Sequence, residues 1–124
     1  MPLLFLQAYL QLLFAEVYLL RHDFHGLYER VRKYPVRPAI PDADAAGRLS
    51  GAMDLACIWC WRQALCLQRS AALTCLLRRH GVRANMVIGA QQMPFRSHAW
   101  VEVNGLVVND KPYVSEVFAI LDRC

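Results

Sequence analysis

At Gly81 the spacing of apolar residues changes period, and this change limits what the chain can fold into more than any other feature. Upstream, Leu67, Ala71, Leu73, Leu76 and Leu77 form an apolar stripe on a helix predicted from Cys66 to His80. Arg78 and Arg79 suit the negative end of that helix, and Gly81 can close it in the left-handed conformation. Downstream, Arg83 to Gly89 reads as a strand, and His98 to Val103 reads as another with clean alternation. Asn104-Gly105 is a hairpin signal and Leu106-Val107-Val108 its return strand, while Glu116 to Leu121 is assigned to a final strand, with a short helix as the alternative. Helices first and antiparallel strands afterwards predict an α+β domain, with helices packed on a small antiparallel sheet. A chain of 124 residues is expected to form a single domain that buries a sufficient core without staples.

The hydrophobic fraction of 56% exceeds the ordinary share of roughly 45–50%, and the excess lies near the N-terminus. Residues 2–20 are long enough to span a bilayer, but Gln7, Gln11 and Glu16 interrupt them and no positive segment precedes them. They are therefore predicted to pack on the domain or on a partner. A second short helix is expected from Leu27 to Tyr34. Residues 1–34 are thus assigned to hydrophobic helices and residues 35–49, with Pro35, Pro38 and Pro41, to an extended connector. Residues 50–124 form the core, with Ser50 as a candidate N-cap for a helix over Gly51 to Leu65.

The net charge of +4 is compatible with an acidic peptide, a nucleic acid or an anionic membrane as partner. Scattered arginines without an aromatic-rich strand motif argue against nucleic acid. Five cysteines, an odd number without a convincing signal peptide, point away from a secreted disulfide framework and towards the reducing cytoplasm.

Three side chains stand out by position. Cys66 opens the central helix, His98 lies on the first hairpin strand and Asp110 follows the second. A thiol attacks only as thiolate, and its ordinary pKa of ~8.5 leaves little of that form at neutral pH. A helix N-terminus and an imidazole both favour the thiolate. His98 can take the thiol proton and return it to a leaving amine, while Asp110 can fix the imidazole tautomer. Singly, these residues also fit packing, a surface strand position and a turn.

The backbone N–H of Cys66 is a natural oxyanion donor, and Gln63 and Trp61 are candidates for a second, against their plainer roles as a solvated residue and a packing residue. Cys57-Ile58-Trp59-Cys60 forms a CxxC pair, but it falls within a helix and lacks the further ligands a zinc site needs. No Walker-type phosphate loop occurs, and no metal or cofactor is expected. Trp100 alternates onto the face of His98, where it could exclude water, although a hydrophobic strand Trp is ordinarily core. A two-residue turn at Asn104-Gly105 would set His98 opposite Lys111 and turn Asp110 to the other face, so the triad predicts an odd loop of Val103-Asn104-Gly105, with Gly105 as a left-handed bulge, or an equivalent bulge.

The run Cys66-Leu67-Gln68-Arg69-Ser70-Ala71-Ala72-Leu73, then Leu76 to Gly81, Val87-Ile88-Gly89, Ser97 to Val103 and Val108-Asn109-Asp110 closely resembles the transglutaminase-like leader peptidases of lasso-peptide biosynthesis. The resemblance covers roughly residues 60–121. It implies a transglutaminase-like, papain-like core and a cysteine peptidase that removes the leader of a ribosomally made precursor, with Cys66, His98 and Asp110 as nucleophile, base and third member. The N-terminal helices are similar to those of the stand-alone form. That form implies a precursor peptide as substrate, a separate leader-binding protein as partner and a macrolactam-forming cyclase as a further one. A cytoplasmic location follows, with peripheral contact to a membrane as the less favoured addition. Two alternatives stay open: acyl transfer by the same triad, and a non-catalytic binding subunit of a maturation complex.

Overall fold

Gly81 adopts φ 84°, and it closes the preceding helix through bonds from Gly81 N to Arg78 O and from Val82 N to Leu77 O at 3.1 and 2.9 Å. Around this joint the computed structural model describes residues 2–21, 24–38, 44–59, 66–92, 95–109 and 118–124. Helices α1 (Pro2–Arg21), α2 (Phe24–Lys33), α3 (Ala45–Trp59) and α4 (Cys66–Arg79) precede strands β1 (Ala84–Gln92), β2 (Phe95–Val103), β3 (Leu106–Val107) and β4 (Ala119–Arg123). The strands form an antiparallel sheet in the order β3-β2-β1-β4, so the fold is the expected α+β.

Helix α4 is the centre. Every residue from Ser70 to Arg78 is buried, because α1, α2 and α3 pack on its outer sides and β1 and β2 on its inner side. Ala84, Met86 and Val101 carry one sheet face into the helical core. Val87 and Trp100 build a separate cluster on the opposite face, with Val107 and Phe118 against it. This division is the strand period of two made visible.

One face of α1 packs as expected, burying Ala8, Leu12, Ala15 and Glu16. Its outer face leaves Leu3, Leu6, Leu10, Phe14, Val17 and Leu20 exposed, at helical spacing. By length and composition α1 could cross a membrane.

Two local expectations need correction. Ser50 is not an N-cap, because α3 begins at Ala45 and the connector is correspondingly shorter. Its hydroxyl instead donates to Val108 O at 3.0 Å, a tertiary bond that no local pattern could reveal. The second correction concerns the hairpin. Val103 pairs with Leu106 and Glu102 with Val107, across Asn104 at φ 53° and Gly105 at φ 78°. This is the two-residue turn with both central residues left-handed, not the three-residue loop with a Gly105 bulge, while an equivalent bulge at Asp110 would fall outside the described residues. The final segment is a strand as assigned, although it runs later, from Ala119 to Arg123, and Glu116 lies outside the described residues.

Arg78 lies in the last turn of α4 as expected, and it is buried with 6% of its surface exposed. Its guanidinium donates to Ala84 O at 3.0 Å, Tyr34 O at 3.1 Å, Cys124 O at 2.8 Å and also to Val31 O. It thereby ties α4 to α2, β1 and the C-terminal residue. Burial pushes its pKa down from the ordinary arginine value.

Candidate active site

The hairpin stops pairing where the candidate residues begin. Val108 N still donates to Val101 O at 3.0 Å, continuing the register by one residue. Val101 N, however, donates to Asn109 Oδ1 at 2.9 Å, and Val108 O accepts from Ser50. A side-chain carbonyl thus takes the Val101 N–H that Val108 O would accept in a continued ladder. Next to that point α4 lies against β2. Ser70 Oγ donates to Ala99 O at 3.1 Å and accepts from Asn109 Nδ2 at 3.2 Å.

This small network joins three segments. Cys66, the first residue of α4, lies one turn before Ser70 on the same side of the helix. His98 precedes Ala99 on β2, and Asn109 is the residue before Asp110. The backbone of Cys66 is therefore at a helix N-terminus beside the strand that carries His98. The N–H groups and dipole of that terminus favour a thiolate and an oxyanion, and no acidic side chain in the first turn opposes them. Asp110, Gln63, Trp61 and Cys60 lie outside the described residues.

His98 sits on the sheet face that Trp100 occupies, opposite the face that packs on the helical core, so the described residues do not themselves show its ring meeting Cys66. Its ring centroid is 6.0 Å from that of Trp100 and 5.2 Å from that of Phe118. Trp100 is fully buried, and its indole N–H donates to Glu102 Oε2 at 3.1 Å. Arg123 Nε donates to the other oxygen of Glu102 at 3.4 Å. The sequence suggested Trp100 as a shield for His98; the structure makes it both a core residue and an aromatic wall. Gly89, paired with His98, makes room for that wall, since an added Cβ would lie 2.7 Å from Trp100 Cη2 and 2.9 Å from Phe118 Cβ. Gly89→Ala is accordingly expected to destabilise the domain by about 1–3 kcal/mol through overpacking. A denaturant midpoint unchanged from the parent would contradict this packing.

The other described cysteines, Cys57, Cys75 and Cys124, form no disulfide. Burial pushes the thiols of Cys75 and Cys124 up, which makes them poor nucleophiles. Cys57 is in α3, as expected for a CxxC pair within a helix. Sequence reasoning overlooked Ser70 and Asn109 as site residues. Their only signals were that Ser70 follows Cys66 by one helical turn and Asn109 immediately precedes Asp110.

Comparisons with known proteins agree with this architecture. The microcin J25-processing protein McjB of Escherichia coli is 41% identical over 56 residues, which make up 45% of this chain and 27% of that protein. The matched stretch thus spans about a quarter of its relative's length. No solved structure matches the chain. The profile described as the transglutaminase-like superfamily matches residues 9–123. With nearly its whole length matched, the chain belongs to the transglutaminase-like superfamily.

Proposed function

We propose that this chain is a cysteine peptidase that removes the leader from a ribosomally made precursor of the lasso-peptide type. The observation that carries the reading is the placement of Cys66 at the start of α4, one turn before the Ser70 hydroxyl that binds the carbonyl next to His98. Similarity to a protein named for processing microcin J25 supports a peptide as substrate.

In this reading His98 takes the Cys66 proton, and the thiolate attacks the scissile carbonyl carbon. The N–H groups at the start of α4 hold the resulting oxyanion, with Gln63 or Trp61 as the second donor. The C–N bond then breaks as His98 returns the proton to the leaving amine, which leaves a thioester on Cys66. His98 next takes a proton from water, whose oxygen attacks the thioester, and the thiolate departs from the second tetrahedral intermediate. Asp110 holds the imidazole tautomer throughout.

A separate leader-binding protein delivers the precursor, raising its local concentration. It docks on the exposed stripe of α1 around Leu10, Phe14 and Val17. Arg21, Arg30, Arg32 and Lys33 close the last turns of α1 and α2, where they steer an acidic partner. A cyclase then consumes the freed amine.

Iodoacetamide at neutral pH provides the test. Cys66 should be alkylated about tenfold or more faster than an unperturbed thiol, because thiolate character sets the rate. Uniform slow labelling of all the cysteines would overturn the reading.

A further inference from the structure

We infer that Asn109, acting through Ser70, is the positioning residue that sets the three catalytic segments in register. The inference rests on the Cys66, His98 and Asp110 triad and adds to it the device that lets the triad assemble. Continued pairing from the two-residue turn would place His98 opposite residue 111 and send the side chain of residue 110 to the other sheet face. A triad cannot form from that parity. For the triad to form, the regular ladder must be broken ahead of residue 110, and Asn109 breaks its next rung by taking the Val101 N–H.

Asn109 does so with both ends of one carboxamide. Its Oδ1 takes the Val101 N–H at 2.9 Å, replacing a backbone acceptor. Its Nδ2 donates to Ser70 Oγ at 3.2 Å, and the Ser70 hydroxyl passes its own hydrogen to Ala99 O at 3.1 Å. Ser70 is fully buried, so water cannot take over either bond. Few side chains meet this demand. Aspartate accepts but does not donate, serine is too short to span both partners, and glutamine is longer by one carbon. The chain on the other side of the break is also fixed, because Ser50 of α3 holds Val108 O. The helix carrying Cys66, the strand carrying His98 and the segment entering Asp110 thus share one set of hydrogen bonds.

Asn109→Ala, Asn109→Asp and Ser70→Ala in the full chain test this, with turnover of a leader-bearing precursor and melting temperature both measured. Asn109→Ala should lower kcat about 100-fold with KM within about twofold, since small misplacement of a reacting group is costly and binding is untouched. Asn109→Asp keeps the Val101 bond and should lose about tenfold, so it decides the matter if the alanine variant does not fold. Because Asn109 acts by placing Asp110, the effects of Asn109→Ala and Asp110→Asn should be strongly non-additive, with the first adding less than about threefold to the second. A purely structural asparagine would lower turnover by the same factor in both backgrounds, and that result would overturn the inference, as would wild-type kcat in Asn109→Asp and Ser70→Ala. Failure of the underlying triad gives a different signature, wild-type turnover in Cys66→Ala or Asp110→Asn themselves.

Discussion

Cys66→Ala is expected to reduce precursor cleavage by on the order of a thousandfold or more, leaving only what binding and oxyanion donors provide without a nucleophile. The melting temperature should stay close to that of the parent, because the change removes one sulfur at the first residue of α4 rather than from its buried centre. The contrast with Cys75 is informative. That thiol is buried within α4, accepts a bond from Arg30 Nη1 at 3.4 Å and is pushed up in pKa by desolvation. Cys75→Ala should therefore lower stability by about 1 kcal/mol or more while keeping turnover. Cys57→Ala and Cys60→Ala should keep turnover as well. Retained cleavage in Cys66→Ala, measured by chromatography of the released leader, would end the assignment of the nucleophile.

The largest effect on stability is expected at Arg78. Replacing it with methionine preserves much of the apolar stem but removes the guanidinium bonds to the carbonyls of Val31, Tyr34, Ala84 and Cys124, of which Val31 O keeps Tyr34 N and Cys124 O keeps Met86 N as backbone donors. A bond from a charged donor contributes about 1.5–3 kcal/mol, and a buried group left unsatisfied costs a similar amount. Removing the buried charge offsets part of this, since burial already disfavours the charged guanidinium. A net loss of about 3–5 kcal/mol remains, a large fraction of the 5–15 kcal/mol that ordinarily separates folded from unfolded domains. Arg78→Lys should recover little, because a compact ammonium cannot reach carbonyls spread over three elements. Urea unfolding would measure it, and a loss below about 1 kcal/mol in Arg78→Met would show that water serves these carbonyls equally well.

The features legible in the sequence are those decided locally. The stripe on α4, its Gly81 closure and the Asn104-Gly105 hairpin depend on neighbours a few residues apart, and all three occur where expected. Features decided by distant partners were hidden. Arg78 sits in the last turn of a helix, where a cation ordinarily faces solvent, and only the arrival of α2, β1 and Cys124 around it turns it into a buried clamp. Ser50 looked like a cap because its tertiary acceptor, Val108, is remote in sequence. The odd loop is absent for a related reason. Parity arguments assume that a ladder continues, and an odd loop was the simplest way to reconcile His98 with Asp110. The chain instead keeps the favoured two-residue turn and gives the Val101 N–H to the Asn109 side chain.

The apolar excess near the N-terminus was equally visible, and its division into two faces follows from helix geometry. Ala8, Leu12 and Ala15 are small or flexible enough to let α1 approach the body closely, whereas Leu3, Leu10 and Phe14 project outward. Arg30 lies over the Phe14 ring at 4.0 Å from its centroid, so the edge of the outer stripe is already lined with positive charge.

Mass spectrometry of a precursor incubated with this protein and a leader-binding partner tests the central claim most directly. The account predicts two fragments whose masses add up to the precursor plus one water, formed by the parent and absent with Cys66→Ala. An intact precursor, a product that retains the acyl group on an added amine without hydrolysis, or the same fragments from Cys66→Ala would contradict it.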